Sequence, residues 1–117
     1  MLRKEFSVDK LKVKVYDNRQ SMGQAAGDEA AAYLRELLAS QDEVWAVFGA
    51  APSQNEMLQN LLNSELIDWS KVNAMHMDEY VGLPEGSAQS FGTYLNSHIF
   101  SHKTFKSVHY IRGFAED

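Results

Sequence analysis

Cysteine is missing from this 117-residue sequence. Without thiols there is no disulfide frame and no thiolate nucleophile. Long apolar runs are missing too. Nowhere do about 18 apolar residues follow one another, and the first residues, MLRKEFSVDKLKVKVY, hold no secretory-type apolar segment. These absences predict a soluble, cytoplasmic protein with no membrane partner. Basic charge is scarce: 11 Lys and Arg stand against 16 Asp and Glu, a formal net charge of -5. Nucleic-acid binding needs a basic face to neutralise phosphates. Arg3 and Lys4, the lysines of residues 10–14, and Lys103 with Lys106 form no single stripe. Nucleic acid is therefore not an expected partner. A small anionic substrate stays open, because backbone dipoles can hold one locally. Repeats, low-complexity tracts and linkers are also lacking.

What is present is ordinary globular material, 44% apolar and 23% charged. The length suits one domain with a real core. LKVKVY, residues 11–16, alternates apolar and polar, which predicts a strand near a sheet edge. Asp17 or Asn18 can cap a following helix, expected over residues 19–39. Its apolar stripe would hold Met22, Ala26, Ala30, Tyr33, Leu34 and Leu37. Gly23 and Gly27 weaken that helix by about 1 kcal/mol each relative to Ala, which points to close packing against a sheet.

VWAVFG, residues 44–49, is a continuous apolar run of the kind a fully buried parallel strand shows. Further helices are expected over residues 52–63 and 88–101, and strands over residues 72–77 and 107–111. The alternation βαβαβαβ implies a parallel sheet with helices on both faces. The sequence ends at RGFAED with no closing helix. The expectation is a fragment of a longer protein, or a chain that depends on a partner.

Two stretches can carry chemistry. In FGAAPSQNE, residues 48–56, an apolar strand ends at Gly49, and Ala50 and Ala51 let a ligand approach the backbone. Pro52 suits a first helical turn, and Ser53 and Gln54 add donors. Free N–H groups at such a start favour phosphate; an ordinary tight βα turn is the alternative. In MDEYVGLP, Asp78 and Glu79 stand at the carboxyl end of a strand. Ligands of open α/β sheets bind outside those ends. The strands before Gly49 and Asp78 are consecutive, so both loops should lie at one edge and open into one cleft. A carboxylate beside a phosphate cradle suggests a base acting on a phosphorylated small molecule. An Asp that closes a turn is the equally simple reading. LPEG fits a type I turn with Pro second and Gly fourth, and Ser87 can cap the third helix.

The histidines are discounted. His98 and His102 lie four apart on a helix, but no third ligand and no HExxH accompanies them, so no metal is expected. His76 and His109 read as hydrogen-bonded strand residues. Trp45 and Trp69 read as core or helix-packing residues.

MDEYVGLP followed by QSF resembles the glucosamine-6-phosphate deaminase (isomerase) family, which is related to the 6-phosphogluconolactonases. The opening strand, the long helix, the small-residue loop before Pro52 and the IDWSKV lead-in fall in family order. The resemblance thus covers nearly the whole chain. It implies a Rossmann-like three-layer α/β sandwich of the ribose-5-phosphate-isomerase-like type, truncated here. Residues 1–117 would be one domain, the N-terminal half of a longer one. Lactonases usually carry Asp-Glu-Arg where this chain has Asp78, Glu79 and Tyr80. The implied reaction converts glucosamine 6-phosphate and water to fructose 6-phosphate and ammonia, with no metal or redox cofactor. After ring opening, a base moves a proton from C2 to C1, and the ketimine is hydrolysed.

The resemblance assigns the catalytic carboxylate to Asp78, with its pKa raised by partial burial. Glu79 would orient Asp78 or fix the loop. Gly49, Ala50, Ala51, Ser53 and Gln54 would anchor the phosphate. Two departures stand out. The family's Gly-Gly/Ser-Thr-Pro loop is here Gly49-Ala50-Ala51-Pro52, so Ser53 or Gln54 would replace the missing threonine hydroxyl. The family's later Gly-x-Asp-Gly-His loop, which opens the ring, and its phosphate-holding lysine are absent from the 117 residues. These residues alone are expected to show no turnover, and to self-associate or pack with a missing C-terminal half. The alternatives are lactone hydrolysis and a non-catalytic sugar-phosphate sensor. Sensors of this fold normally follow a DNA-binding helix-turn-helix, and a first strand near residue 11 leaves no room for one.

Overall fold

The computed structural model describes residues 1–113. The expectation of an end without a closing helix falls partly on residues 114–117, which lie outside the described residues. Strands β1 (Leu2–Val8) and β2 (Leu11–Tyr16) form an antiparallel hairpin, with Val8 opposite Leu11. Asp9 turns the chain at a φ of 52°. Only β2 was expected, and at the edge of the parallel sheet; it pairs instead with β1, outside that sheet. Arg3, Lys4 and Glu5 blur the alternation of β1, and Asp9-Lys10 is not one of the favoured hairpin dipeptides.

Helix α1 (Arg19–Ser40) starts where the Asn18 side chain accepts the Ser21 amide at 2.8 Å. Asp17 instead holds the N-terminal amine at 2.8 Å. Then follow β3 (Val44–Phe48), a 3₁₀ turn at Pro52–Gln54, α2 (Asn55–Asn63) and β4 (Val72–His76). Helix α3 (Phe91–Leu95) runs on as a π-helical turn, Asn96–Phe100, before β5 (Ser107–His109). The second sheet has the order β3-β4-β5, all parallel, with Val44 opposite Val72 and Ala74 opposite Val108. Among the described residues no helix is long and apolar enough to cross a membrane.

The core lies on one face of this sheet. Val44, Phe48, Val72 and Ala74 meet Leu58 and Leu61 of α2 and Leu95, Ile99 and Phe100 of the third helical segment. Phe100 stands edge-on to Phe48 at 5.4 Å, and Trp69 packs on Phe105 at 5.0 Å. The opposite face is exposed along β3 but closed at Asn73 of β4, which is 3% exposed. Trp45 and Val47 are 58% and 60% exposed, and Trp45 stacks on His109 at 5.4 Å. So β3 is buried on alternate residues rather than throughout, and Trp45 is not core. The helices cover one face, so the second helical layer of the expected sandwich is not among the described residues. The accessible surface is 7945 Å², against about 6,400 Å² for a compact monomer of this mass.

Gly23, Gly27 and Ala31 form the buried seam of α1, while Met22 and Tyr33 of the expected stripe are exposed. The seam faces α2, not the sheet. A Cβ at Gly23 would come within 2.3 Å of Glu56 Cβ, and one at Gly27 within 2.7 Å of Asn60 Cβ. Backbone atoms of Met57 lie close behind both positions, so neither neighbour can swing away. Gly27→Ala should gain about 1 kcal/mol of helix propensity and lose about 1–3 kcal/mol by forcing the helices apart. Chemical denaturation should therefore show a net loss; a more stable variant would mean that the seam is not in contact.

Candidate active site

The β3–β4 register sets the geometry. Phe48 is opposite His76, and the Met77 amide donates to the Phe48 carbonyl at 3.1 Å. Gly49 and Asp78 each follow one residue later. The Met77 sulfur lies 3.7 Å from where a Gly49 Cβ would stand. Both loops therefore leave the same carboxyl edge, side by side.

The bend after Gly49 is held by side chains. The Gln54 amide donates to the Gly49 carbonyl, so Gln54 is engaged within the loop. The Tyr94 hydroxyl lies 2.9 Å from the Ala51 carbonyl and beside Asn55 Oδ1. Arg19 donates to the Pro52 carbonyl and pairs with Glu56 at 2.6 Å. The amides of Ala50 and Ala51 meet no acceptor among the described residues, so they are available to an anion. Ser53 lines a separate shallow hollow with Lys14, Asn18 and Arg19.

The two acids differ sharply. Asp78 is exposed rather than partly buried, and its carboxylate has no partner among the described residues. Glu79 is saturated. Its Oε1 accepts the Tyr80 and Phe91 amides, both at 2.9 Å. Its Oε2 accepts the Ser90 hydroxyl at 2.7 Å and the Gly92 amide at 3.0 Å. Desolvation pushes its pKa up, but the bonds from Gly92, Ser90, Phe91 and Tyr80 outweigh that and hold it at about 2. A carboxylate with every favourable lone pair engaged is a poor proton acceptor. Glu79 ties the strand-end loop to the start of α3, and Asp78 is the acid left free.

Ser90, not Ser87, caps α3, its hydroxyl accepting the Thr93 amide at 3.3 Å. The hydrogen-bonded turn is one residue later than LPEG: the Ser87 amide reaches the Pro84 carbonyl at 3.1 Å. Gly86 sits in it at a φ of 76°, where glycine is favoured. A hollow of about 720 Å³ lies under this loop, lined by Glu79, Tyr80, Pro84, Thr93 and Tyr110 among others. Neither Asp78 nor residues 49–54 line it. The shared cleft expected from the sequence is thus an adjacency at the sheet edge, distinct from this hollow.

His98 Nδ1 lies 2.8 Å from the Tyr94 carbonyl and His102 Nε2 lies 2.7 Å from that of Ser97. Both contacts can only be N–H donations, since a carbonyl accepts. Among the described residues no three His, Asp or Glu side chains gather as a metal site. In the sequence, Arg19 is passed over, Tyr94 is placed only on the apolar side of the third helix, and Ser90 is taken only as a structural residue in that helix's first turn. Ser90 carried a legible signal, a serine just before an apolar helix start. The other two act across 43 or fewer positions of chain by tertiary contact, which spacing does not reveal.

No family model matches the chain. In sequence it is similar to the glucosamine-6-phosphate deaminase of Streptococcus sanguinis, 33% identical over 91 residues, which are 78% of this chain and 38% of that one. It is also 32% identical over 110 residues to the enzyme of that name from Lactobacillus delbrueckii subsp. bulgaricus, covering 92% of this chain and 43% of the relative. The chain therefore spans about two-fifths of the length of these relatives. In fold it matches a monomeric glucosamine-6-phosphate deaminase described as the missing link of the NagB superfamily. There the TM-score is 0.73 at 18% identity, over 87% of this chain and 43% of that one. It matches the 6-phosphogluconolactonase of Thermotoga maritima with a TM-score of 0.71 at 16% identity, over 86% and 45%. The resemblance read from MDEYVGLP and QSF holds, and the parallel α/β class is that of these neighbours.

Glu79 makes the structure acid-sensitive. Its folded pKa, about 2, lies below its ordinary value of 4.5. Its stabilisation is complete above pH 4.5 and is lost as the pH falls toward 2. Glu79→Gln should cost about 1–3 kcal/mol at neutral pH, by leaving donors unpaired. It should also flatten the acid limb of a stability-against-pH curve. An unchanged acid limb would remove Glu79 from this role.

Proposed function

We propose that this chain supplies the phosphate-anchoring bend and the proton-shuttling carboxylate of a glucosamine-6-phosphate isomerase/deaminase of the family its relatives represent. The observation that carries the reading is the exposed Asp78 carboxylate one residue past the β3–β4 ladder, beside a bend with two amides, all three without a partner among the described residues.

With the sugar phosphate on the Ala50 and Ala51 amides, its open-chain C1 and C2 reach toward Asp78. The C2 proton is acidified by the C1 aldehyde. Asp78 takes it and returns a proton to C1, leaving an imine at C2. Water then adds to C2, ammonia leaves, and the products are fructose 6-phosphate and ammonia. Glu79 stays ionised and holds the loop. Gln54 and Tyr94 shape the bend from within. Ring opening is assigned to no residue of this chain.

Lactone hydrolysis is the second reading. The fold does not separate the two, since TM-scores of 0.73 and 0.71 are equivalent. The likeness in sequence to deaminases favours isomerisation, and so does Tyr80 in place of the lactonases' usual arginine.

In the full-length protein, Asp78→Asn should lower isomerisation by about 10²–10⁴-fold and leave sugar-phosphate binding within a few-fold. Solvent deuterium appearing at C1 measures the proton transfer. Turnover unchanged by the substitution would exclude Asp78. Amide NMR signals of residues 49–54 should move on adding glucosamine 6-phosphate; still signals there would exclude the anchor.

A further inference from the structure

His76 closes β4 and is only 4% exposed. Its Nδ1 lies 2.8 Å from the Asp78 carbonyl oxygen. Its Nε2 accepts the backbone amide of Ile111 at 3.0 Å. A carbonyl oxygen can only accept and an amide N–H can only donate. The two contacts together admit one state of the ring: neutral, with the proton on Nδ1 and the lone pair on Nε2. The Tyr110 ring flanks it at 6.1 Å, tilted by 58°.

This matters because of what holds Asp78. Its carboxylate has no partner among the described residues, so nothing on the side chain sets its direction. The backbone must do so. The carbonyl of Asp78 belongs to the peptide unit joining it to Glu79. His76 fixes one side of that unit, and the Glu79 carboxylate, tied to α3, fixes the other. The amide of Ile111 in turn moors the ring to the segment after β5, where Gly82 also joins Gly113 at 2.8 Å.

We infer that His76 is a positioning residue, a neutral Nδ1–H imidazole strut that orients the peptide of Asp78 and through it the reacting carboxylate. This rests on the assignment of Asp78 as the base. Misplacing a reacting group by about 1 Å can lower a rate by about 10²-fold, so a strut of this kind has leverage without touching substrate.

The geometry separates three substitutions. In His76→Asn the amide nitrogen stands near the place of Nδ1 and can still donate to Asp78, while Ile111 is released. In His76→Gln the side-chain oxygen reaches the place of Nε2 and can still accept from Ile111, while Asp78 is released. His76→Leu fills the space and makes neither bond. In the full-length protein, kcat for glucosamine 6-phosphate should fall about 10- to 100-fold in the Gln and Leu variants, with KM within about 3-fold. It should stay within about 3-fold of the parent in the Asn variant. Nitrogen-15 NMR of the parent imidazole reads the strut without any turnover. A protonated Nδ1 and an unprotonated Nε2 at neutral pH are expected, and the opposite tautomer or an imidazolium would overturn the proposal even if every variant failed to fold. Equal kcat in the Gln, Leu and parent proteins, beside an inactive Asp78→Asn, would overturn it while leaving Asp78 as the base. An active Asp78→Asn with the expected tautomer would remove the base, and with it the positioning role, leaving His76 a structural bridge.

Discussion

The hydrogen bond from the Met77 amide to the Phe48 carbonyl, 3.1 Å long, is the last rung of the β3–β4 ladder. The proposed site depends on it. Parallel pairing in this register sends two loops out of the sheet at one edge, one with small residues and two amides, the other with an acid, none of which meets a partner among the described residues. A slip of one residue would turn every side chain of β4 to the other face. His76 would leave the core and Asp78 would lose its mooring. The apolar packing of Phe48, Val72 and Ala74 against α2 and the third helical segment therefore fixes the geometry of the proposed site as well as stability.

Around that rung the acids divide their labour. Adjacent carboxylates usually raise the question of which one reacts. Under the proposed function the surroundings favour Asp78, because the Glu79 carboxylate receives four donors and that of Asp78 receives none among the described residues. The same local charge that makes Glu79 a poor base makes it a strong pin, since its ionised oxygens neutralise amides at the start of α3. The loop from Asp78 to Gly86 is thus held at His76, at α3 and at Gly113.

Much of this was legible in the sequence, and the failures share a cause. The strands VWAVF and VNAMH, the bend after Gly49 and the acids at 78 and 79 follow from local pattern, and they are found in those places. The hairpin strand Leu2–Val8 was missed because its pairing is set by a partner across a turn with weak dipeptide chemistry. Trp45 was misplaced because a continuous apolar run does not say which face is covered, and parallel sheets are normally covered on both. The glycine seam was assigned to the sheet because periodicity marks a face without naming what it meets; it meets α2. The division of roles between Asp78 and Glu79 was out of reach for a similar reason. It is made by Ser90, Phe91 and Gly92, more than ten residues away, and neighbouring carboxylates look alike in a sequence.

The most direct test is a crystal structure of the protein with glucosamine 6-phosphate bound. One molecule should span both loops, its phosphate on the amides of Ala50 and Ala51 and its C1–C2 end within reach of the Asp78 carboxylate. A phosphate seated instead in the hollow beside Tyr80 and Pro84, with Asp78 turned away from the sugar, would contradict the account.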